Sequence, residues 1–165
     1  MNASFNTGAG FNSTVNTIAV QSDGKVIAGG LFTTYSGSTT NYLTRLNVSG
    51  TIDASFNTGT GFDGGVINTY IQSDGKILVQ GTFSSYSGSV ALGIIRLNTD
   101  GTRDTTFNLT QSINNATQAA NSTIQLSNGS ILLGGIYTGN RVGYATFQKF
   151  LRKHNYTKFD RFIWT

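Results

Sequence analysis

Acid–base chemistry has little to work with in this chain. Its 165 residues include seven aspartates, no glutamate, no cysteine and a single histidine, His154. A general acid and a general base must be two titratable groups held together in different environments. Six of the seven aspartates instead lie in or beside turns that recur along the chain, so no unique pair stands out and no catalytic residue is assigned. Asp53 and Asp104, shortly before Phe56 and Phe107, read as side chains that hydrogen-bond a turn backbone. The run Asp100-Gly101-Thr102-Arg103-Asp104 lacks the alternating oxygen ligands and the bidentate glutamate that calcium favours. Without cysteine there is no thiolate site either, so neither a metal nor a cofactor is expected. The pairs Gly29-Gly30 and Gly134-Gly135 are not followed by a helical pattern, which excludes a phosphate loop.

Two features could bind rather than react. Tyr35 and Tyr86 each stand at the tip of a Ser/Thr/Gly-rich loop, where an aromatic face beside hydroxyls could hold a sugar ring. Their recurrence in register equally suits rings packed on their own repeat. The last residues mix Arg152, Lys153, Lys158 and Arg161 with Phe150, Tyr156, Phe159, Phe162 and Trp164. Aromatics among cations can stack on single-stranded nucleic acid, and the same mixture anchors protein interfaces. Residues 1–140 carry five cations against six aspartates, a balance of −1, and residues 141–165 carry six cations against one, a balance of +5. With a neutral body behind the tail, docking on a protein partner is the preferred reading, with Phe150, Phe159, Phe162 and Trp164 as anchors and Arg152 and Lys153 at the rim.

The elements that must position these residues repeat every 51 positions. Phe5, Phe56 and Phe107 keep that spacing, as do Gln21 and Gln72, Asp23 and Asp74, Tyr35 and Tyr86, Arg45 and Arg96, and Asp53 and Asp104. Units of this length are propeller blades or solenoid turns. Each reads as four strands: Val15 to Gln21, Lys25 to Phe32 after an Asp23-Gly24 hairpin turn of two residues, Tyr42 to Asn47, and Ile52 to Phe56. In the third repeat the Ser127-Asn128-Gly129 turn comes 54 residues after its predecessor, which implies a three-residue insertion between Gln111 and Ala120. Lys149 falls in the place of Arg96. The expected fold is all-β: three four-stranded antiparallel propeller-type blades (2–56, 57–107 and 108–150) in a repeat domain over 1–143, with a degenerate last strand and basic aromatic tail over 144–165.

The run Q-S-D-G-K-V-I-A-G-G-L-F at 21–32, a Y-S-G loop and T-R-L-N-V-S-G-T-I-D-A-S-F at 44–56 resemble the delta-60 repeat family. The resemblance spans about residues 2–137. It implies β-propeller repeats of the kind found in bacterial extracellular proteins and phage tail and fibre proteins, with no catalytic residues to carry over. Closed propellers have four to eight blades, so three repeats imply self-association, a twofold ring first, or docking in a larger assembly. Only 11% of residues are charged, against 21 glycines and many Asn, Thr and Ser, a surface that suits a virion or extracellular setting. The start, Met1-Asn2-Ala3-Ser4-Phe5, has no signal-peptide pattern, and no apolar run is long enough for a membrane span. The expected role is a structural or adhesive component of a particle, with nucleic acid and membrane disfavoured and glycans as the alternative partner.

Overall fold

A computed structural model describes residues 5–91, 93–107, 120–126, 131–136 and 145–150. Among them every regular element is a strand. The first repeat contains β1 (Val15–Val20), β2 (Val26–Gly30), β3 (Thr34–Tyr35), β4 (Ser38–Thr39) and β5 (Leu43–Leu46). The second contains β6 (Val66–Ile71), β7 (Ile77–Gly81), β8 (Ser85–Tyr86), β9 (Ser89–Val90) and β10 (Ile94–Leu97); the third contains β11 (Ala120–Gln125), β12 (Ile131–Ile136) and β13 (Ala145–Phe150). Three antiparallel sheets result, β1-β2-β5, β6-β7-β10 and β11-β12-β13, with β3-β4 and β8-β9 as two small hairpins.

The repeat reaches down to irregularities. Each first strand bulges at its start, between Val15 and Thr17, Val66 and Asn68, and Ala120 and Ser122. Opposite the bulge the chain runs so close that a Cβ on Gly30 or Gly81 would strike the carbonyl oxygen of Thr14 or Gly65, which is why glycine recurs there. In the third sheet β11 and β12 are offset by 54 from β6 and β7, so the insertion precedes Ala120. Lys149 pairs Leu132 as Arg96 pairs Leu78 and Arg45 pairs Ile27, the register expected of it.

Two expectations are corrected. Among the described residues the sheets are three-stranded: in the first two repeats Ile52 and Arg103 each form one bridge, to Leu46 and Leu97, and the chain then turns instead of continuing as a fourth strand to Phe56 or Phe107; the segment after Phe150 lies outside the described residues. The period-2 pattern Ile52, Ala54, Phe56 suggests a strand, but the buried Asp53 bends the backbone around itself. The Asp23-Gly24 connection is also not a two-residue turn. Gly24 N–H returns to the Gln21 carbonyl at 2.9 Å and Gln21 N–H to Lys25 at 2.8 Å. Only the glycine takes positive φ, 83°, and 80° at Gly75, the longer loop that closes with a glycine bulge. The 127–130 turn lies outside the described residues.

The sheets stack face to face. Ile77 and Val79 of β7 share one apolar cluster with Ile27 and Leu43 of the first sheet, while Leu78 between them joins Ile94 and Ile131 toward the third. Both faces of β7 are therefore covered, and all five of its residues are buried. This explains why Ile77-Leu78-Val79 reads as a continuous apolar run and not an alternating one.

Candidate functional site

The recurring charged residues converge on one construction, present twice. Asp53 Oδ2 accepts from Lys25 Nζ at 2.8 Å and Arg45 Nε at 2.7 Å, and Oδ1 accepts from Ser55 N at 3.0 Å and Ser55 Oγ at 2.7 Å. Asp104 Oδ2 likewise accepts from Lys76 and Arg96, both at 2.7 Å, and Oδ1 from Thr106 N at 2.9 Å and Thr106 Oγ1 at 2.6 Å. The Arg45 guanidinium lies 4.7 Å above the Phe56 ring and that of Arg96 4.8 Å above Phe107, a cation–π geometry. Arg45 Nη1 also donates to the Thr99 carbonyl at 2.5 Å, tying the first repeat to the second.

Local sequence explains the convergence. The lysine follows the Asp-Gly turn, the arginine stands mid-strand on β5 or β10, and the aspartate follows the next glycine turn by three residues. Strand pairing brings all three to one end of the sheet. Burial would raise the Asp53 and Asp104 carboxyls, but the hydrogen bonds from lysine, Ser55 or Thr106, and arginine outweigh it. Both are held well below the ordinary carboxylate range. A general base must be poised near working pH, and these carboxylates are shifted the other way.

The tyrosines are not at loop tips. The Y-S-G-S segments fold back as β3-β4 and β8-β9 through two-residue turns in which Ser36 and Gly37, and Ser87 and Gly88, all take positive φ. Tyr35 and Tyr86 are each 2% exposed. Their hydroxyls donate to the Gly50 carbonyl at 2.6 Å and the Gly101 carbonyl at 2.5 Å. Phe11 and Phe62 sit against them at ring distances of 4.6 and 4.4 Å. Burial pushes both phenols above their ordinary pKa. No ring face is left for a sugar. Of the tail anchors, Phe150 ends β13 as described backbone; Phe159, Phe162, Trp164, Arg152 and Lys153 lie outside the described residues.

Sequence reasoning missed Asn12 and Asp63. Asn12 Oδ1 accepts from Thr33 N and Thr34 N at 2.9 and 3.0 Å, and Asp63 Oδ1 from Ser84 N and Ser85 N, both at 2.8 Å. Hydrogen bonds from Ser84, against a burial that opposes them, hold the Asp63 carboxyl below the ordinary range. Each side chain anchors the start of the small hairpin. The signal was present, since the two stand 51 apart, but the change from amide to carboxylate hid a shared acceptor oxygen.

A family model described as a β-propeller domain of unknown function (DUF5122) matches residues 21–56 and 72–107. Each matched segment begins at the glutamine that opens the Asp-Gly turn and ends at the phenylalanine under the arginine, so it encloses one complete Lys–Arg–Asp construction. The two repeats are thus similar to β-propeller repeats. No curated protein and no solved structure matches the chain.

Proposed function

We propose that this chain is a non-enzymatic structural and interaction protein whose repeats act as propeller blades, a component of a phage particle such as a tail, fibre or capsid-surface protein. The observation that supports the non-enzymatic part is the fate of the recurring charges. Lys25 and Arg45 both pair Asp53, and Lys76 and Arg96 both pair Asp104, inside the repeat, so the motif serves assembly of the fold. The habitat rests on the resemblance to repeats of phage tail and fibre proteins and on a surface solvated by amides and hydroxyls. Mass spectrometry of purified virions tests it: the chain is expected among the particle proteins, and its absence from particles made by cells that express it overturns the reading. Hydrolysis of a polysaccharide by the purified chain would overturn the non-enzymatic part.

A further inference from the structure

Given the reading of the repeats as propeller blades, we infer that the outer face of the first sheet is a docking surface for the third sheet of a second copy of this chain, joined head to tail. Each sheet has two faces. Thr17 and Ala19 lie on the face of β1 that meets the second sheet: Thr17 Oγ1 lies 3.0 Å from Thr69 Oγ1 and accepts from Thr69 N at 3.2 Å, and Ala19 packs on the shared cluster. Ile18 and Val20 alternate with them and lie on the other face.

The repeat shows what covers that other face. Register places Ile18 opposite Ala28 as Thr69 stands opposite Val79, and Val20 opposite Val26 as Ile71 stands opposite Ile77. Thr69 is buried at 8% exposure by the first sheet, whereas Ile18 and Val20 are each 67% exposed. At the first of these positions the exposed Ile18 is more apolar than its covered counterpart Thr69, the reverse of what solvent favours; at the second, Val20 is exposed where Ile71 is half-buried. The far end of the stack shows the complementary defect. Ile124 pairs Leu132 as Ala19 pairs Ile27 and Tyr70 pairs Leu78; Ala19 and Tyr70 pack against the following sheet's cluster, and Ile124 is 55% exposed.

One more application of the step that relates each sheet to the next would set Ile124 of one copy on Ile18 and Val20 of another. The occupant is a second copy because the forward face of the last repeat carries the matching register and an exposed apolar residue, Ile124. Ala28, Thr44 and Leu46, on the same face as Ile18 and Val20 by register, are buried, so the uncovered part of that face is its β1 edge. Ile18 and Val20 at that edge and Ile124 on β11 are exposed in the same molecule, so the chain does not close on itself among the described residues. Two copies joined this way present six sheets, within the range of closed propellers, and leave neither face open.

Sedimentation velocity with a charge-swap pair tests this. The wild-type chain is expected as a dimer. Ile18→Glu and Ile124→Lys alone are each expected to weaken association by about tenfold or more, with unchanged far-UV circular dichroism. Mixed in equal amounts they should dimerise again, because one junction is then native and the other pairs the two introduced charges. If Ile18→Glu misfolds, the reversed pair, Ile18→Lys mixed with Ile124→Glu, replaces it with the same expected loss and the same rescue. Because the chain has no cysteine, Ile18→Cys mixed with Ile124→Cys should form an intermolecular disulfide. A wild-type monomer, variants that dimerise as wild type, or no cross-link would each overturn the inference. None of these readouts depends on whether the chain is found in virions.

Discussion

Asp53→Asn isolates the ion-pair construction with the smallest change of shape. The amide oxygen can still accept from Ser55, so the turn keeps its backbone bond, but Lys25 and Arg45 lose their counter-ion. The two cations respond differently. The Lys25 side chain is 29% exposed and can swing into water, whereas that of Arg45 is 8% exposed and cannot. Removing one partner of a buried pair costs about 3–5 kcal/mol. With one cation free to rehydrate and Arg45 keeping Thr99 and the Phe56 ring, the loss falls at the low end, about 3 kcal/mol. Urea titration followed by circular dichroism should show a lower midpoint at unchanged slope near pH 7. The pH arm fixes the cause. The Asp53 carboxyl is depressed below its ordinary value of 3.8 in the folded chain, so its contribution is complete above that value and fades as pH falls through and below it. Asparagine does not titrate, so the gap between wild type and variant should narrow below about pH 4. A loss under about 1 kcal/mol, the size of a surface pair, or a gap independent of pH, would refute the reasoning.

Further outcomes follow from the same contacts. Tyr86→Phe leaves the buried Gly101 carbonyl without its donor and should cost about 1–2 kcal/mol by urea titration. In the wild type, where the buried phenols are held protonated, stability should be full below pH about 10 and fall as pH rises past it, with phenolate absorbance appearing only as the fold is lost. Gly75→Val forces a β-branched residue to φ 80° and should cost about 1 kcal/mol or more in a thermal or urea melt. Phe83→Ala, which empties the cluster beneath Phe62 and Tyr86, should cost about 3–5 kcal/mol.

Much of the architecture was legible because it is written in local chemistry. Glycine at Gly24 and Gly75, β-branched residues in β1 and β6, and the 51-residue period place the strands, and even Lys149 is found at the register of Arg96. What was not legible depends on long-range pairing. Ile52, Ala54 and Phe56 alternate as a strand should, yet Asp53 accepts from Ser55 N and Phe56 N and turns the chain, and the cations that hold Asp53 in place, Lys25 and Arg45, are 28 and 8 residues away. The alternation of Leu43 and Arg45 with Thr44 and Leu46 likewise suggests a half-exposed strand, but all four are buried, Leu43 and Arg45 on the side that meets the second repeat and Thr44 and Leu46 on the opposite side. Tyr35 looked like a loop-tip aromatic because Ser36 and Gly37 mark a turn; that the turn is a hairpin folded onto Gly50 is a contact 15 residues away. The Asp turn-capping role was read correctly, and its ion pairs were missed for the same reason.

The recurring lysine, arginine and aspartate are the architecture of the repeat. Carbon-13 NMR of the aspartate carboxyl groups during acid titration tests it most directly. Asp53 and Asp104 are expected to keep ionised shifts as pH passes below 3.8 and to change only as the fold itself is lost. Titration of both at their ordinary value in a chain that is still folded would contradict the account.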